Sequence, residues 1–127
     1  MAHPSDRKYS KDHEWVSLDG EVATVGISDF AQSQLGDVVF IELPEEGDSV
    51  SAAEQFGDIE SVKSVSELVS PVSGEIVEVN SGLVDNLETV NEDPHGAGWM
   101  IKVRVSDTGE LDELLTAEEY DAFITEG

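Results

Sequence analysis

The stretch GDIESVKSVSELVSPVSGEI, residues 57–76, contains one of only four lysines in a chain with 29 acidic residues. Its composition predicts two short strands joined by a bend near Val62, Lys63 and Ser64. A lysine at such a bend projects its four-carbon stem into water, while the paired strands hold the backbone beneath it. This geometry suits a side chain that another enzyme must reach and modify. An ordinary solvated turn lysine fits the same spacing.

Catalysis by Lys63 is not favoured by its neighbours. A catalytic lysine needs burial or cationic neighbours. Lys63 instead lies between Glu60 and Glu67. The segment therefore indicates a modification site rather than a catalytic one.

The length and composition indicate a folded, water-soluble protein. The 127 residues suggest one domain, 1–127, with a loose N-terminal extension at 1–8 and a helical C-terminal segment at 107–127 packed on it. The absence of cysteine excludes disulfides, thiol nucleophiles and cysteine metal sites. No apolar run approaches the roughly 18 residues of a membrane span. The first residues lack the apolar core of a secretion signal, so we expect a cytoplasmic protein or a mature form already trimmed.

The net charge of −23 is the most unusual property of the composition. Such a surface repels nucleic acid phosphates and anionic membranes, so neither is an expected partner. The acidic residues are spread along the whole chain, which indicates a solvated acidic coat on a folded domain. A salt-adapted host and an ordinary acidic protein are both consistent with this coat.

Strand signals dominate most of the chain. In the segment HEWVSLDGEVATVGI, Asp19-Gly20 predicts a two-residue type I′ hairpin turn, which needs positive φ. Further strands are predicted at DVVFIELPEEGDSV, SGEIVEVN and WMIKVRV, while GLVDNLETVNEDPHGAG is predicted to be loop-rich. The fold class is therefore mainly β.

Helix signals occur in two places. Ser28 or Asp29 can cap a short helix after the first hairpin, and Gly36 can end it. Near the C-terminus, Thr116 and Glu119 have the spacing of a capping box, and the residues that follow continue an apolar face.

Two segments of the chain repeat one weak pattern. GDVVFIELPEEGDSV, residues 36–50, and GEIVEVNSGLVDNLETV, residues 74–90, both have a glycine, an acidic residue, an apolar pair, a turn and a closing valine. This pattern predicts a sandwich of two similar halves related by a pseudo-twofold axis, with the Lys63 hairpin crossing between them.

The spacing around Lys63 resembles the modification hairpin of lipoyl and biotinyl carrier domains. Glu60 and Ser61 precede the lysine, and a P-x-x-G step from Pro71 to Gly74 follows it on the outgoing strand. Longer segments closely resemble the glycine cleavage system H-protein family, in order and over nearly the whole chain: HEWV at 13–16, VGISDFAQSQLGDVVFIELPEEGDSV at 25–50, ESVKSVSELVSPVSGEIVEVN at 60–80, GWMIKV at 98–103 and LLTAEEYDAF at 114–123.

This resemblance implies a single lipoyl-carrier domain and a non-catalytic role. The implied fold is a lipoyl-domain-like hybrid of sandwich and barrel with two antiparallel sheets. Lys63 would bear lipoate in amide linkage. The implied partners are a pyridoxal-phosphate glycine decarboxylase, a tetrahydrofolate-dependent aminomethyltransferase, a flavin dihydrolipoamide dehydrogenase and the enzymes that attach lipoate. The carrier would take the aminomethyl group of glycine from the first to the second, and the third would reoxidise it.

Four further residues follow from this interpretation. Glu60 and Ser61 are expected to shape the turn for the lipoylating enzyme. Glu14 and Glu67 are the carboxylates proposed to contact the cationic amine of the loaded arm, within a cleft that shields it from water. An ordinary solvated acid fits each of the two carboxylates as well.

Other polar residues carry no independent case for catalysis. His3, His13 and His95 lack metal-ligand spacing. His13 could contact the arm, although a surface or strand histidine fits better. Trp15 and Trp99 are expected to lie in the core or to line a cleft, and the core is favoured.

Other carriers remain as alternatives. A lipoyl domain of a 2-oxoacid dehydrogenase acyltransferase is one. A biotin carrier is less favoured, because biotinyl lysines usually lie between two methionines and Lys63 lies between Val62 and Ser64. An H-like protein that relays lipoate to other enzymes and an unmodified acidic scaffold are the remaining two.

Overall fold

Two antiparallel sheets form the body of the chain in the structure, a computed structural model that describes residues 7–126. The larger has six strands in the order β1-β2-β3-β9-β8-β5, and the smaller has three in the order β4-β6-β7. The strands are β1 Lys8–Tyr9, β2 Glu14–Asp19, β3 Val22–Ile27, β4 Val38–Glu42, β5 Ser49–Val50, β6 Gln55–Ser61, β7 Val65–Val69, β8 Gly74–Val79 and β9 Ile101–Val105. The predicted mainly β class with two antiparallel sheets is confirmed.

Helices are few and short. They are α1 Asp29–Leu35, α2 Glu88–Glu92, α3 Ala117–Glu126 and two 3-10 helices, Ser81–Asp85 and Thr108–Glu113. None of the helices within residues 7–126 has the length and apolar composition to span a bilayer. Of the predicted N-terminal extension at 1–8, residues 1–6 (and with them His3) lie outside the described residues, while Lys8 belongs to β1.

The first hairpin turns one residue later than predicted. Asp19 pairs with Val22, so the two loop residues are Gly20 and Glu21. Gly20 has φ of 65°, and Glu21 does not have positive φ. A glycine at the first central position is the requirement of a type II′ turn, whereas type I′ needs positive φ at both central positions. The position of the glycine within the loop therefore sets both the turn and the register.

Local capping signals set the ends of α1, as predicted. The Ser28 hydroxyl accepts a hydrogen bond from the Ala31 amide at 3.1 Å. At the other end Gly36 has φ of 79°, and its amide donates to the Gln32 carbonyl at 3.0 Å. The helix therefore stops after seven residues, and the chain enters β4 directly.

The segment predicted to be loop-rich contains the 3-10 helix Ser81–Asp85 and α2 instead. Val90 lies buried on α2, whereas Val50, its counterpart in the weak repeat, lies in β5. The repeated segments supply β4 to the smaller sheet and β8 to the larger one. The two segments differ at their closing valines, because the first segment ends in a strand and the second ends in a helix.

Buried apolar side chains of both sheets form the main core. They include Val25, Ile41, Ile59, Leu68, Ile76, Met100, Ile101 and Val103, each at most 2% exposed. Burial of such side chains contributes about 1.5–3 kcal/mol each. Leu111 of the second 3-10 helix joins this core, which ties the C-terminal segment to the sheets.

A second, smaller cluster attaches α3 to the larger sheet. It contains Tyr9, Trp15, Ala117 and Tyr120. The rings of Tyr9 and Tyr120 stack with centroids 4.8 Å apart. Tyr9 and Leu115 exchange two backbone hydrogen bonds of 2.8 Å. Helix α3 therefore packs against β1 and the start of β2.

Candidate functional site

Lys63 occupies the tip of the hairpin formed by β6 and β7. β6 ends at Ser61 and β7 begins at Val65, so the lysine is the middle residue of a three-residue loop, and its side chain is exposed. Within the described part of the chain, no carboxylate forms an ion pair with it. The lysine nitrogen is thus accessible to an enzyme from outside.

Ser61 fixes the conformation of this loop. Its amide donates to the Ser64 carbonyl at 2.8 Å. Its hydroxyl oxygen accepts from the amides of Lys63 and Ser64, both at 3.2 Å, and the hydroxyl lies 3.2 Å from the Ser64 carbonyl. The buried Ser61 side chain therefore satisfies loop amides that have no strand partner at the tip.

The base of the hairpin is held by its neighbours. β6 is the central strand of the smaller sheet, between β4 and β7. The Val62 amide donates to the Asp37 carbonyl at 3.1 Å. Glu60 is exposed and pairs across the sheet with Phe40 on one side and Val65 on the other. Rigidity below the lysine comes from paired backbone on both sides.

Gly36 leaves room for the lysine stem. A Cβ placed on Gly36 would stand 3.3 Å from Lys63 Cε and 3.8 Å from Nζ. A side chain at this position would crowd the stem, and the positive φ of Gly36 disfavours one in any case. The end of α1 and the lysine therefore lie side by side.

A cleft of about 270 Å³ opens beside this hairpin. Its walls come from the start of β2, from α1 and from the edge strand β7. The lining is mixed, with apolar side chains and three carboxyl groups: Asp12, His13, Glu14, Ile27, Phe30, Ala31, Gln34, Leu35, Ile59, Ser66, Glu67 and Leu68. Such a cleft can hold an apolar chain that ends in a cation.

Glu14 is the buried carboxyl of the cleft, at 2% exposure. Ser10 donates its hydroxyl to Oε1 at 2.9 Å, and the Val69 amide donates to Oε2 at 3.3 Å. Burial raises the pKa of Glu14 from 4.5 to about 8, although these two hydrogen bonds oppose the shift. Glu14 is therefore mostly protonated at neutral pH.

Glu67 lies across the cleft from β2, on the exposed surface of β7. The structure thus brings the two predicted arm-contacting carboxyls, Glu14 and Glu67, to the same cleft. Glu60 and Ser61 do not line it; they belong to the hairpin that carries Lys63.

His13 also lines the cleft, although the sequence favoured a surface or strand histidine over a contact with the arm. Its φ is 70°, a left-handed conformation that non-glycine residues seldom adopt. Its Nδ1 lies 2.8 Å from the Tyr120 hydroxyl, which lies 2.7 Å from the Ser28 hydroxyl. Burial lowers the pKa of His13, and the charge of Asp12 offsets this in part. Its place directly before Glu14 in the HEWV segment is the only signal in the sequence.

The tryptophans take positions close to those expected. Trp15 is buried, and its indole Nε1 donates to the Pro94 carbonyl at 2.8 Å. Trp99 is half-buried and packs against the cluster under α3. Among residues 7–126, no group of three or more histidine or acidic side chains is arranged to hold a metal ion.

The site fits a covalently attached, extended group. Lys63 offers an exposed amine on a fixed backbone, and Gly36 leaves its stem unhindered. The nearby cleft has apolar walls and carboxyl groups. These features suit an extended group that is attached to the lysine and ends in a cation.

Comparison with known proteins identifies the family. The family model described as glycine cleavage H-protein matches residues 7–127. Glycine cleavage system H proteins of Geobacillus kaustophilus and Carboxydothermus hydrogenoformans are 55% and 54% identical. The Geobacillus alignment covers 100% of both chains, and the Carboxydothermus one covers 97% of this chain and 95% of the relative.

A solved structure agrees. The fold is similar to a crystal structure of a glycine cleavage system H protein from Mycobacterium marinum, with a TM-score of 0.89 and 45% identity. The match covers 97% of this chain and 99% of that one. The chain therefore belongs to the glycine cleavage H-protein family, the lipoyl carriers of the glycine cleavage system.

Proposed function

We propose that this protein carries lipoate in amide linkage on Lys63 and, in the cytoplasm, shuttles the aminomethyl group of glycine between three enzymes. These are glycine decarboxylase, aminomethyltransferase and dihydrolipoamide dehydrogenase. The protein itself is not a catalyst in this scheme. When attached, the lipoyl group supplies the disulfide that accepts the one-carbon unit and two electrons.

The observation that carries the proposal is the exposed lysine at the tip of a rigid hairpin. A tethered group reaches each partner at a raised effective concentration, because its encounter no longer depends on free diffusion of the cargo. Ser61 and the flanking strands fix where the tether starts. The length of the arm then sets how far from the hairpin a partner can dock.

The cleft gives the arm a resting place in this proposal. Its apolar side chains exclude water from the arm, and Glu14 and Glu67 face an amine that enters. An approaching cation favours the ionised form of Glu14, so docking would release the proton that Glu14 holds at neutral pH. The ion pair formed in a water-poor site would retain the amine.

The test of attachment compares the protein with Lys63→Arg, which keeps the positive charge but removes the acceptor amine. Each is incubated with a lipoate-attaching enzyme and followed by intact mass. We expect one lipoyl addition to the parent protein and none to the variant. Modified protein should then support glycine–CO2 exchange with glycine decarboxylase. An unmodified parent protein, or modification of the variant at another lysine, would refute the proposal.

The test of the cleft uses Glu14→Gln and Glu67→Gln in the loaded protein. We expect the lifetime of the bound aminomethyl group in water to shorten in both, because the cleft retains its shape but loses a carboxylate. Glu60→Gln, on the same hairpin but outside the cleft, is the matched control. Unchanged lifetimes in the two cleft variants would exclude them as arm contacts.

A further inference from the structure

Exposed apolar side chains are concentrated around Lys63. Val39 and Phe40 on β4 are 49% and 46% exposed, and Val62 and Val65 on either side of the lysine are both 66% exposed. We call these four residues the hairpin patch. Outside it, the large exposed apolar side chains of the described residues are Leu18 and Val84, which stand alone. Single exposed apolar residues are ordinary, whereas several grouped around one loop indicate an interaction surface.

The sheet is built to present this patch. The register of β4 against β6 shifts between Val38 and Phe40, which is the signature of a β-bulge. Because of the bulge, Val39 and Phe40 are exposed one after the other, although strand residues normally alternate between faces. Phe40, Glu60 and Val65 are then aligned in one cross-strand row on the outer face, directly below the lysine loop.

A row of three acidic residues follows on the same face. Glu42, Asp58 and Glu67 are cross-strand partners, two residues farther from the loop on each strand. On the outer face of the smaller sheet, apolar side chains near the hairpin tip flank the single carboxylate of Glu60, and the row below is wholly acidic. A complementary surface would offer apolar side chains to the hairpin patch, and lysine or arginine side chains to Glu60 and the acidic row.

We propose that the hairpin patch is the docking surface for the enzyme that attaches the lipoyl group, with an apolar contact bordered by basic side chains. This inference rests on the proposed lipoylation of Lys63. The amine ends a short stem, so the attaching enzyme must bring an activated lipoyl acyl group within bonding distance of Nζ. Nζ then forms the amide bond with the carbonyl carbon and loses a proton, and the activating group departs with the electron pair.

The reach of the side chain selects this partner from the others. Before modification, only the four-carbon stem separates Nζ from the backbone of the loop, so the enzyme must cover Val62 and Val65 to reach it. After modification the arm can leave the cleft and extend its reactive end well beyond the hairpin, so the enzymes that use it can dock elsewhere on the acidic surface. The patch is therefore needed for attachment and dispensable for later use of the arm.

The experiment measures lipoylation of the full-length, unmodified protein by a purified lipoate-attaching enzyme. The variant is Phe40→Thr/Val65→Thr, since threonine keeps the strand preference while it removes most of the apolar area. Leu18→Thr, on the exposed face of β2, and Val84→Thr are matched controls. We expect kcat/KM for lipoylation, followed by intact mass, to fall at least tenfold in the variant, chiefly through KM, and to stay within twofold in the controls.

Three further measurements make the result decisive. Phe40→Leu should keep most of the parent rate, because it keeps an apolar side chain at the patch. Thermal unfolding should show the same cooperative transition in every variant. The double variant is also loaded to completion by prolonged incubation. Its reduction by dihydrolipoamide dehydrogenase, with a reduced nicotinamide as electron donor, should match that of the parent protein.

The outcomes separate this inference from the proposed function. Lipoylation of the double variant at the parent rate overturns the docking surface while leaving the carrier function intact. An equal loss in both lipoylation and reduction also overturns it, since the patch would then serve a different partner. Failure of the parent protein to be lipoylated overturns the proposed function and, with it, this inference.

Discussion

Glu14 is the residue whose surroundings change its chemistry most. It begins β2, immediately after a left-handed residue, and its carboxyl group is directed into the protein at the cleft. Two hydrogen-bond donors face it, but they do not compensate for the loss of water. A cation that enters the cleft can therefore displace the proton of this carboxyl group and pair with the carboxylate that remains.

This burial makes the stability of the protein depend on pH in a definite direction. The pKa of Glu14 is about 8 when folded and near 4.5 when unfolded. The proton therefore stabilises the folded state fully below pH 4.5, and this contribution is lost as pH rises through 8. We expect the stability of the parent protein relative to Glu14→Gln to fall by about 1.4 kcal/mol per pH unit within this window.

Urea unfolding at intervals between pH 5.5 and 8.5 measures this difference. Glutamine keeps the size and hydrogen-bonding capacity of the side chain, so the comparison isolates the proton. Glu67→Gln is the control for loss of an exposed carboxyl from the same cleft. If the parent and Glu14→Gln profiles run parallel, the carboxyl is already ionised in the folded state.

Ser61 supports a second prediction at this scale. Ser61→Ala removes the acceptor for two loop amides, at a cost of about 1 kcal/mol in unfolding free energy. We expect lipoylation of Lys63 to slow, because the loop no longer holds one conformation. Ser64→Ala is the control, since Ser64 contributes only backbone groups to these bonds. Equal lipoylation rates in the two variants would show that the hydroxyl does not matter.

Individual residues were predictable from the sequence only where local pattern defines them. Lys63 and Ser61 stand in a short motif, and their surroundings follow from the hairpin that the motif forms. The burial of Glu14 and the hydrogen bond of the His13 ring involve α1, β7 and Tyr120 of α3, which lie far away in the chain. The local sequence around Glu14 does not show that distant segments will bury its carboxyl group.

At the scale of elements, the β6–β7 hairpin controls the direction in which the lysine points. Side chains alternate between faces along a strand, so a shift of one residue changes the face and the position of a side chain. Val62→Lys/Lys63→Val and Lys63→Val/Ser64→Lys keep one lysine in the loop but move it by one place. We predict that both abolish lipoylation, as measured by intact mass.

Folding must be preserved for this test to be informative. Both variants exchange residues that are exposed in the loop, so their thermal unfolding should resemble that of the parent protein. Lys63→Arg is the baseline for complete loss of the acceptor. Normal modification of either shifted variant would mean that the attaching enzyme recognises a flexible lysine rather than a fixed one.

Elements with strong local caps were predicted well, and those without were not. Ser28 and Gly36 define α1, and in the capping box before α3 the Thr116 amide donates to Glu119 Oε1 at 2.9 Å while the Glu119 amide donates to Thr116 Oγ1 at 3.2 Å. Helix α2 has no side-chain cap at its N-terminus; the burial of Val90 and the hydrogen bonds of the Asn91 side chain to Gly36 and Val38 hold it instead. Packing against the sheets, rather than local preference, makes that segment helical.

The whole molecule carries a negative charge that its few cations do not balance. Lys102 and Arg104 on β9 pair with Glu78 and Glu75 of β8, at 3.6 and 3.8 Å. Exposed cross-strand pairs of this kind contribute about 0.2–1 kcal/mol each. They leave an acidic surplus over most of the surface, which favours the unfolded state by self-repulsion and directs basic partners toward the protein.

The division of the strands into sheets of six and three was beyond local prediction. The strand segments themselves follow from composition. The pairing of β3 with β9 and of β5 with β8 joins parts of the chain that no turn signal connects. The weak repeat indicated two halves, but strand order depends on which nonlocal pairs bury the most apolar surface.

The acidic coat leads to a prediction for the molecule as a whole. Raising NaCl from 0.1 to 1 M shortens the Debye length from about 10 to about 3 Å. Repulsion among surface carboxylates in the compact state then weakens more than in the expanded unfolded state. We expect the free energy of unfolding to rise on the order of 1–2 kcal/mol, with most of the gain below about 0.5 M, where screening changes fastest.

Chemical unfolding in urea at several salt concentrations measures this effect, because urea adds no ionic strength. Sucrose is the matched control solute, since it stabilises by exclusion from the surface without screening charge and its effect grows steadily with concentration. If the free energy of unfolding rises with NaCl and then levels off, unlike its steady rise with sucrose, the stability of the protein depends on screening of its acidic surface. A salt-adapted host would require this dependence. Equal stability at 0.1 and 1 M leaves the protein an ordinary acidic one, in which the spacing of the carboxylates already keeps their repulsion small.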